Sequence, residues 1–515
     1  MTNSWLVLTP PIIVLALAFI TKRINLSLIV GIICASIIAV DFSILKGITL
    51  IGSHFWQKIT DRDVYFIYLF LILVGSIITL IIKTGGAAAF AHVASKKIKN
   101  KKSAETSSLF MSFCLFIDDY LSNSTVGYIM RPLTDKFNVA RTKLAFLVHS
   151  IATPLVVLAP ISGWSAMITN ELRQAGVQKS IEAGTRVLAN PYTTYVQSIP
   201  FIFYSFLMIA SVWFIVRRGI SYGPMSSYEK KAMQGKDVKN NLSIHKANVG
   251  SLKDLIVPLL FLVGSITIAT VWAEKAFKKL NWNIEAGFFP LFLAGVFALT
   301  ASLLFAFKRK KAAVSDLPNI LHGGYKFFID PIIMLFLASI LGALIKTNLD
   351  TGTYLAHLIV GGVSISLVPL MLFGAAALIA IATGTSWGTI AIMVPITIPM
   401  VTTLSQISLP APASSFALLL PAIGAILAGA VCGDHISPVS ETTIMAANSA
   451  GAPPVEHAIT QFFYALPALV STCIAFFISG LLLHWPYWVN IVVSGGSSLF
   501  ICLLTLYVLG KTRKY

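Results

Sequence analysis

Charged residues are scarce in this sequence. Lysine, arginine, aspartate and glutamate make up 11% of its 515 residues, whereas soluble domains carry about 25%. Hydrophobic residues account for 56%, in continuous runs such as Leu6 to Ile20, Leu26 to Val40 and Val64 to Ile82. Such runs approach or reach the length of about 17–25 residues that a helix needs to cross a bilayer. A soluble fold and an alternating outer-membrane barrel are excluded, and the sequence predicts an all-α polytopic membrane protein.

Cysteine and the common catalytic motifs are also scarce or absent. Five single cysteines without CxxC spacing lie inside apolar runs, which indicates neither disulfides nor a structural metal. HExxH, GxSxG and P-loop motifs do not occur, so we expect neither an enzyme nor a cofactor. A diacid protease motif at Gly433-Asp434 would need glycine at Val431, and a potassium filter would need glycine at Ile129.

Acidic residues are few relative to basic ones, with 20 Asp and Glu against 38 Lys and Arg. The basic residues lie in short loops, where they mark the cytoplasmic side of a membrane and do not indicate nucleic acid binding. This rule predicts about eleven crossings of a bacterial inner membrane, with the protein in contact with lipid. Segments 104–130 and 363–395 must each enter and leave on one side, as re-entrant hairpins or as paired helices. The N-terminus and residues 41–63 and 170–190 are expected outside, and residues 96–102, 217–254 and the C-terminus in the cytoplasm.

Two sequence blocks recur at one displacement. Ser76-Ile77 with Ile82-Lys83-Thr84 returns as Ser339-Ile340 with Ile345-Lys346-Thr347, and Ile129-Met130-x-Pro132 returns as Ile392-Met393-x-Pro395, each 263 residues later. Loop charge orients the two copies oppositely, which predicts an inverted-topology repeat as in many secondary transporters. The expected organisation is N-terminal helices over 1–60, repeat 1 over 61–217, a basic loop over 218–254, connecting helices over 255–320, repeat 2 over 321–485, and a C-terminal helix with a basic tail over 486–515.

Two consecutive aspartates end an apolar segment. Asp118 and Asp119 follow Leu109–Ile117, where an ionised carboxylate near mid-bilayer costs about 2.5–3.5 kcal/mol on insertion scales. We predict that one of them holds a proton or a cation; the alternative is that Asp119 only caps the next helix. Because neighbouring helical residues point about 100° apart, one of the pair should face the site unless the helix breaks there. Neutral oxygens would come from Ser122, Asn123 and Thr125.

A second acidic segment surrounds Pro438. This proline cannot donate to the carbonyl of Asp434, which predicts a broken helix with Ser437 as the start of the next piece. Asp434 would lie at the break beside His435 and Ser440. Glu441 would lie in the first turn, where stabilisation of the helix dipole is an alternative to ion binding.

A third polar segment is rich in hydroxyls. Thr383, Thr385, Ser386 and Thr389 accompany two glycines and could present oxygens to a hard cation; a tight helix-packing turn is the alternative. We expect a sodium site drawn from Asp119, Asp434, Thr385 and Ser386. His149 lies in the apolar segment Leu144–Leu158 and is either a hydrogen-bonded core residue or part of this site.

Four blocks in order resemble the signatures of the NhaC-type sodium/proton antiporter family. They are Phe116-Ile117-Asp118-Asp119-Tyr120, Met130-Arg131-Pro132-Leu133-Thr134-Asp135, Ala382-Thr383-Gly384-Thr385-Ser386-Trp387-Gly388-Thr389 and Gly433-Asp434-His435-x-Ser437-Pro438. The resemblance covers most of residues 60–480 and implies an ion-transporter-superfamily fold with inverted repeats, hairpins and broken helices around a midplane site. His149 stands where the family would have aspartate, and Glu441 replaces the aspartate of its Ser-Asp-Thr-Thr block. Some relatives exchange organic anions or other metabolites.

A buried unpaired carboxylate is stable either protonated or bound to a cation, so protons and Na⁺ compete for it. If Asp434, with Asp118 or Asp119, must be neutralised before the broken helices move, each passage carries one species or the other. We therefore predict Na⁺/H⁺ antiport by alternating access. The alternative is cation- or proton-coupled exchange of a small organic solute, such as a carboxylate or an amino acid. A homodimer is compatible with the sequence.

Overall fold

The structure is a computed structural model that describes residues 5–21, 23–86, 89, 92–93, 98–116, 118–235, 250–279, 289–360, 363–438 and 440–511. Its first helices are α1 (Thr9–Thr21), α2 (Ile24–Ala39), α3 (Ile44–Thr60), α4 (Arg62–Lys83), α5 (Lys101–Cys114), α6 (Asp119–Lys136), α7 (Arg141–Leu158), α8 (Gly163–Gln174), α9 (Pro191–Ser198), α10 (Phe203–Arg218) and α11 (Met225–Met233). The later helices are α12 (Lys253–Lys279), α13 (Phe289–Lys308), α14 (Leu317–Ala343), α15 (Thr351–Val360), α16 (Val368–Thr383), α17 (Ser386–Leu404), α18 (Leu419–Ile436), α19 (Glu441–Ala450), α20 (Pro454–Leu481) and α21 (Tyr487–Lys511). A π-helical segment, Leu344–Leu349, continues α14.

Membrane-spanning helices dominate the described part of the chain. Nine helices there are long and apolar enough to cross a membrane, or up to eleven if each of two bent pairs forms one span. The predicted fold class, an all-α polytopic membrane protein with repeats and broken helices, is confirmed. The side of the membrane on which each loop lies stays a prediction.

Residues 41–63, which the loop charges predict to lie outside, are largely helical. They contain α3, which bends by 120° from α2. Several large apolar side chains of α3, among them Ile44, Leu45 and Trp56, are exposed. Counting charges does not distinguish α3 from a loop, because α3 carries few charged residues and turns sharply after the preceding span.

The two ambiguous segments are helix pairs that meet at a break. In the first, α5 ends at Cys114 and α6 begins at Asp119. In the second, α16 ends at Thr383 and α17 begins at Ser386, and both helices are long and apolar enough to be separate spans. Gly384, between them, has a φ of 69°, a left-handed conformation that glycine adopts without steric cost. The second segment is therefore a pair of helices.

The helix bounds repeat along the chain. Adding 263 to 191 and 218, the bounds of the α9–α10 pair, gives 454 and 481, which are the bounds of α20. Adding 278 to the bounds of α7 gives those of α18, and the same shift takes the first residue of α8 to that of α19. Asn138 and Gln406, each two residues after the end of α6 or α17, both have a positive φ, 54° and 53°. The two copies share one order of elements.

Two long loops account for the change in displacement. The second copy has residues 405–418 between α17 and α18 where the first has 137–140, and the first has 175–190 between α8 and α9 where the second has 451–453. These loops pair with each other in a parallel sheet of three short strands, β1 (Val177–Gln178), β2 (Val187–Leu188) and β3 (Ala411–Pro412). Each copy therefore carries one insertion, and the insertions bind one another.

The chain divides into two compact units. The larger comprises Met1–Phe55, Ser108–Asp237 and Met334–Tyr515, and the smaller comprises Trp56–Ser107 and Val238–Ile333. In the smaller unit, Lys83 and Asp316 form an ion pair at 2.8 Å. In the larger, α18 lies so close to α16 that a Cβ at Gly433 would come within 2.2 Å of the carbonyl oxygen of Ala377. Glycine at 433 thus permits the close approach of α18 to α16 one residue before the buried Asp434.

Candidate functional site

Asp434 lies at the centre of the site. It is 2% exposed and belongs to the last turn of α18. The hydroxyl of Ser440 donates to its Oδ1 at 2.6 Å, and the hydroxyl of Thr442 donates to its Oδ2. The side chain of Ser386, in the first turn of α17, interacts with the same carboxylate. Two helix beginnings therefore supply hydroxyl groups to one buried acid.

The predicted break after Asp434 is present, but the predicted start of the next helix is wrong. Ser437 is the C-cap of α18, and its hydroxyl donates to the carbonyl oxygen of Ile381 at 2.8 Å. Helix α19 begins at Glu441 with Ser440 as N-cap, whose side chain accepts from the backbone amide of Thr443. Ser440 caps α19 because the first backbone amides of a helix lack partners within the helix, and its side chain lies three residues before one of them, that of Thr443. Glu441 does lie in the first turn, as predicted.

Asp119 begins α6 and is 1% exposed. The indole nitrogen of Trp164 donates to its Oδ1 at 3.2 Å, and the hydroxyl of Thr153 donates to its Oδ2 at 3.4 Å. Because these partners belong to α7 and α8, the carboxylate does more than cap its own helix. Asp118, also 1% exposed, and Asp434 lie close enough to interact electrostatically with Asp119. The two acidic segments therefore meet in one buried region.

His149 lies beside Asp434. Its Nε2 is 3.9 Å from Oδ2 of Asp434 and 3.0 Å from the hydroxyl oxygen of Thr442. Its Nδ1 is 3.2 Å from Nε2 of His457. The centre of the His435 ring lies 4.7 Å from that of the His149 ring. Nδ1 of His435 is 3.1 Å from the hydroxyl oxygen of Tyr204. His149 is fully buried and hydrogen-bonded, and the partners of its ring belong to the site.

Glu441 connects the helix breaks. Its carboxylate Oε2 accepts from the hydroxyl of Tyr120 at 2.7 Å, and its backbone amide donates to the carbonyl of Gly384 at 3.4 Å. Tyr120 lies in the first turn of α6 and Gly384 between α16 and α17. Three interruptions of the helical backbone thus lie together. At membrane depth, irregular backbone is tolerated where its polar groups can hydrogen-bond to surrounding protein.

The threonines of the third polar segment make mostly local hydrogen bonds. The hydroxyls of Thr383 and Thr389 donate to the carbonyls of Ile379 and Thr385, both at 2.9 Å, and Thr385 is the N-cap of α17. The hydroxyl protons of Thr383 and Thr389 are therefore used in local hydrogen bonds that stabilise the turn, as expected for a tight helix-packing turn. Their oxygens keep lone pairs, and the predicted role of Thr383, Thr385 and Thr389 in cation binding stays a prediction.

Ser122 and Asn123 are fully buried near the start of α6. Among the residues that the structure describes, neither side chain has a hydrogen-bond partner, whereas the backbone oxygen of Asn123 accepts from Ser449 at 2.6 Å. Buried polar side chains usually are satisfied, and the predicted role of Ser122 and Asn123 in binding stays a prediction. The side chain of Thr125, also predicted here, lies outside the described residues.

A sodium site would depend on few charged ligands. In the described ranges, no group of three or more His, Cys, Asp or Glu side chains is arranged to hold a metal ion. A hard cation that enters here would have to combine one or two carboxylates with neutral oxygens. The sodium site therefore stays a prediction, with the ligands Asp119, Asp434, Thr385 and Ser386.

Sequence reasoning missed several partners of the predicted residues. Thr442 stood inside the block compared with Ser-Asp-Thr-Thr and could have been found there. Trp164, Thr153, Tyr204 and His457 carry no local signal, because each reaches the site from a different helix through a contact with a residue 34 to 308 positions away.

Broken helices that surround buried carboxylates characterise a secondary transporter with its site at the interruptions. The comparisons with known proteins agree. The model of the Na⁺/H⁺ antiporter family matches residues 174–481, and the chain belongs to this family. The matched range contains Asp434, His457 and the third polar segment, and it begins after Asp118, Asp119 and His149.

The chain is similar to two proteins in sequence and to one solved structure in fold. An uncharacterized protein of Haemophilus influenzae is 31% identical over 487 residues, which cover 92% of this chain and 90% of that protein. The malate-2H⁺/Na⁺-lactate antiporter of Bacillus subtilis is 28% identical over 238 residues, 44% of this chain and 45% of the relative. The crystal structure of the Alcanivorax borkumensis YdaH transporter matches with a TM-score of 0.54 at 13% identity, over 86% of this chain and 90% of that one, which shows a shared fold.

Proposed function

We propose that this secondary transporter exchanges Na⁺ for H⁺, and that Asp434, together with Asp119, binds either a cation or a proton during alternating access. The observation that carries the proposal is the surroundings of Asp434: a carboxylate that is 2% exposed, bound by the hydroxyls of Ser440 and Thr442 and adjacent to Ser386. The proposal extends the antiporter family membership to a particular pair of substrates.

The energetics favour competition at this carboxylate. An ionised acid removed from water loses hydration that a few hydroxyl donors replace only in part. Asp119 and Asp118 add negative charge nearby, which further disfavours an empty, fully ionised site. A proton or a cation relieves the same deficit, so one expels the other.

The helix breaks supply the coupling to movement. Ser437 binds the carbonyl of Ile381, and Glu441 binds the carbonyl of Gly384, so the α18–α19 break and the α16–α17 break are held to each other. A change of charge at Asp434, between Ser440 and Thr442, acts on both. We infer that the pair of breaks rearranges as one body when the carboxylate is neutralised.

The test is transport by purified protein in liposomes that contain a pH-sensitive dye. An inward Na⁺ gradient should drive protons out of liposomes with the parent protein. Asp434→Asn should give the trace of protein-free liposomes, while Asp41→Asn, the same chemical change at an exposed turn position with a φ of 53° that asparagine tolerates, should match the parent. Parental exchange by a folded Asp434→Asn protein would overturn the proposal.

A second candidate is exchange of a small organic acid. Two observations favour it: the relative from Bacillus subtilis is a malate-2H⁺/Na⁺-lactate antiporter, and the buried side chains of Ser122 and Asn123 have no partner within the described residues, so they could bind a solute oxygen. The same liposomes decide between the candidates. If proton movement requires malate or lactate on one side, the organic acid is a substrate.

The membrane and the assembly remain predictions. We propose a bacterial inner membrane, with the N-terminus outside and the C-terminus in the cytoplasm, from the loop charges alone. A homodimer is likewise a proposal that cross-linking in native membranes would test.

A further inference from the structure

His457 lies in the first turn of α20 and is fully buried, yet the antiport mechanism above does not use it. Its Nε2 is 3.2 Å from Nδ1 of His149. On the other side of that ring, Nε2 of His149 is 3.0 Å from the hydroxyl oxygen of Thr442, which in turn donates to Asp434. The four side chains form a continuous chain of hydrogen bonds from α20 to the carboxylate.

The chemistry of the groups fixes the direction of this chain. An ionised carboxylate only accepts, so Thr442 donates its single proton to Asp434. The hydroxyl oxygen of Thr442 must then accept from His149, which places the proton of the neutral imidazole on Nε2. Nδ1 of His149 is therefore an acceptor, and His457 must donate from its own Nε2. Every bond in the chain points toward the carboxylate.

The far end of the chain is a buried nitrogen of His457. Nδ1 of His457, which the preceding argument leaves without a proton, has no hydrogen-bond partner among the described residues. The neighbours hold the two rings in place: the ring of His435 lies against His149, and one turn along α20 the amide of Gln461 donates to the hydroxyl of Ser150 at 3.0 Å. Among the described residues, the titratable groups beside the chain include His435 of α18, which Tyr204 of α10 contacts, and Asp119 of α6, which interacts with Asp434.

We propose that His457 is a positioning residue for Asp434: by donating to Nδ1 of His149 it holds that ring in the orientation in which Nε2 donates to Thr442, whose hydroxyl donates to the carboxylate. This inference rests on the proposed function, in which Asp434 alternates between ionised and protonated forms. When Oδ2 carries a proton it donates to Thr442, Thr442 donates to Nε2 of His149, Nδ1 of His149 donates to His457, and His457 holds its proton on Nδ1. The whole chain is reversed.

The reversal balances without charging any histidine. The reversed chain holds one proton more than the first: Asp434 gains a proton, Thr442 keeps one, and each imidazole carries its single proton on Nδ1 instead of Nε2. Each imidazole is neutral before and after, so the chain avoids the cost of a buried cation.

The test reads the tautomer of His149 by nuclear magnetic resonance with ¹⁵N-labelled histidine. The protein contains nine histidines, and His149→Gln identifies the signals. At alkaline pH, where the infrared carbonyl band that Asp434→Asn removes is absent, His149 should carry its proton on Nε2. Both His457→Gln and His457→Leu should keep that tautomer, because Thr442 still accepts from Nε2 of His149. Only His457→Gln, whose amide can still donate, should keep the signal of Nδ1 of His149 at the position of a hydrogen-bonded nitrogen, and an unchanged Nδ1 signal in His457→Leu would contradict the proposal. A proton on Nδ1 of His149 in the parent under these conditions would overturn the proposal.

Transport in liposomes gives the second readout. His457→Leu should slow Na⁺-driven proton movement about 10- to 100-fold, as loss of a partner that orients a functional group does, and should change its pH profile; His457→Gln should recover part of the rate. His484→Gln, at an exposed histidine, is the matched control. An unchanged pH profile in His457→Leu would contradict the proposal. If the parent protein exchanges no Na⁺ for H⁺, the proposed function fails, and the nuclear magnetic resonance measurement still decides the role of His457.

Discussion

The hydroxyl of Tyr120 donates to the carboxylate of Glu441 at 2.7 Å, across 321 positions of sequence. The bond joins the first turn of α6 to the first turn of α19, and each of those helices begins at a break beside a buried aspartate. Glutamate is one methylene longer than the aspartate that the family resemblance implies at this position. Its length brings the carboxylate to a tyrosine on another helix, so the departure from the family pattern has a structural partner.

This pair should behave as a coupled unit. We expect Tyr120→Phe and Glu441→Met, which has no comparable acceptor, each to lower the free energy of unfolding by about 0.5–1.5 kcal/mol, the net worth of one hydrogen bond, and the double variant to lose less than the sum. Thermal unfolding of the four proteins in one detergent completes the cycle. Strict additivity would show that the hydrogen bond contributes nothing.

Replacement of the two consecutive aspartates should have unequal effects on transport. Asp119 binds Trp164 and Thr153 and interacts with Asp434, so Asp119→Asn should reduce coupled exchange more than Asp118→Asn does. Initial rates at several Na⁺ concentrations, in liposomes with equal protein content, measure the difference. Equal losses would mean that both carboxylates serve the site, which a break in the helix at this position would allow.

Replacement of His149 by aspartate should change ion handling without unfolding the protein. The Nε2 atom of His149 is 3.9 Å from Oδ2 of Asp434, so the new carboxylate would approach an existing one. Two close carboxylates hold a shared proton more tightly than one alone. We therefore expect half-maximal exchange to move to higher pH and the preference among Li⁺, Na⁺ and K⁺ to change. A parental pH profile and cation series would assign His149 to the core.

The opposite orientation of the repeats can be tested at equivalent loops. Lys136, at the end of α6, and Ile407, just after α17, are both exposed. Single cysteines placed there in a cysteine-free protein should react with a membrane-impermeant maleimide from opposite sides, Lys136→Cys from the cytoplasm and Ile407→Cys from outside. Ser180→Cys is the internal check, because β1 and β2 share a sheet with β3 and must lie on the side of residue 407. Labelling of positions 136 and 407 from one side would exclude the inverted arrangement.

The breaks and their acids could be predicted from sequence because their causes are local. Pro438 removes a backbone donor, and a pair of acids after Leu109–Ile117 cannot continue into lipid, so helix interruptions near 118 and 438 follow from single-residue chemistry. The exact start of α19 did not follow. Ser437 and Ser440 are both good caps, and the choice between them depends on the carbonyl of Ile381, which Ser437 binds from a different helix.

The histidine chain could not be predicted for a related reason. His457 follows Pro453-Pro454 and Glu456, a pattern typical of an ordinary helix start. Nothing near it indicates His149, which lies 308 positions earlier. Burial of both rings against α18 and α19 depends on how four helices cross, and pattern arguments along one helix give no crossing geometry. The predicted displacement of 263 matches the α9–α10 pair to α20 but does not match α7 and α8 to α18 and α19, which need a shift of 278 because of the loops of different length. The contacts between the elements required the structure.

The small sheet has a consequence for any attempt to rebuild this protein from one half. Strands β1 and β2 belong to the loop that only the first copy has, and β3 to the loop that only the second has. A symmetric design that used the first copy twice would lack β3, and one that used the second copy twice would leave β3 with no neighbour. The backbone groups that now pair across Val187 and Ala411 would have to find water instead. The duplicated halves have become complementary parts, and neither can stand in for the other.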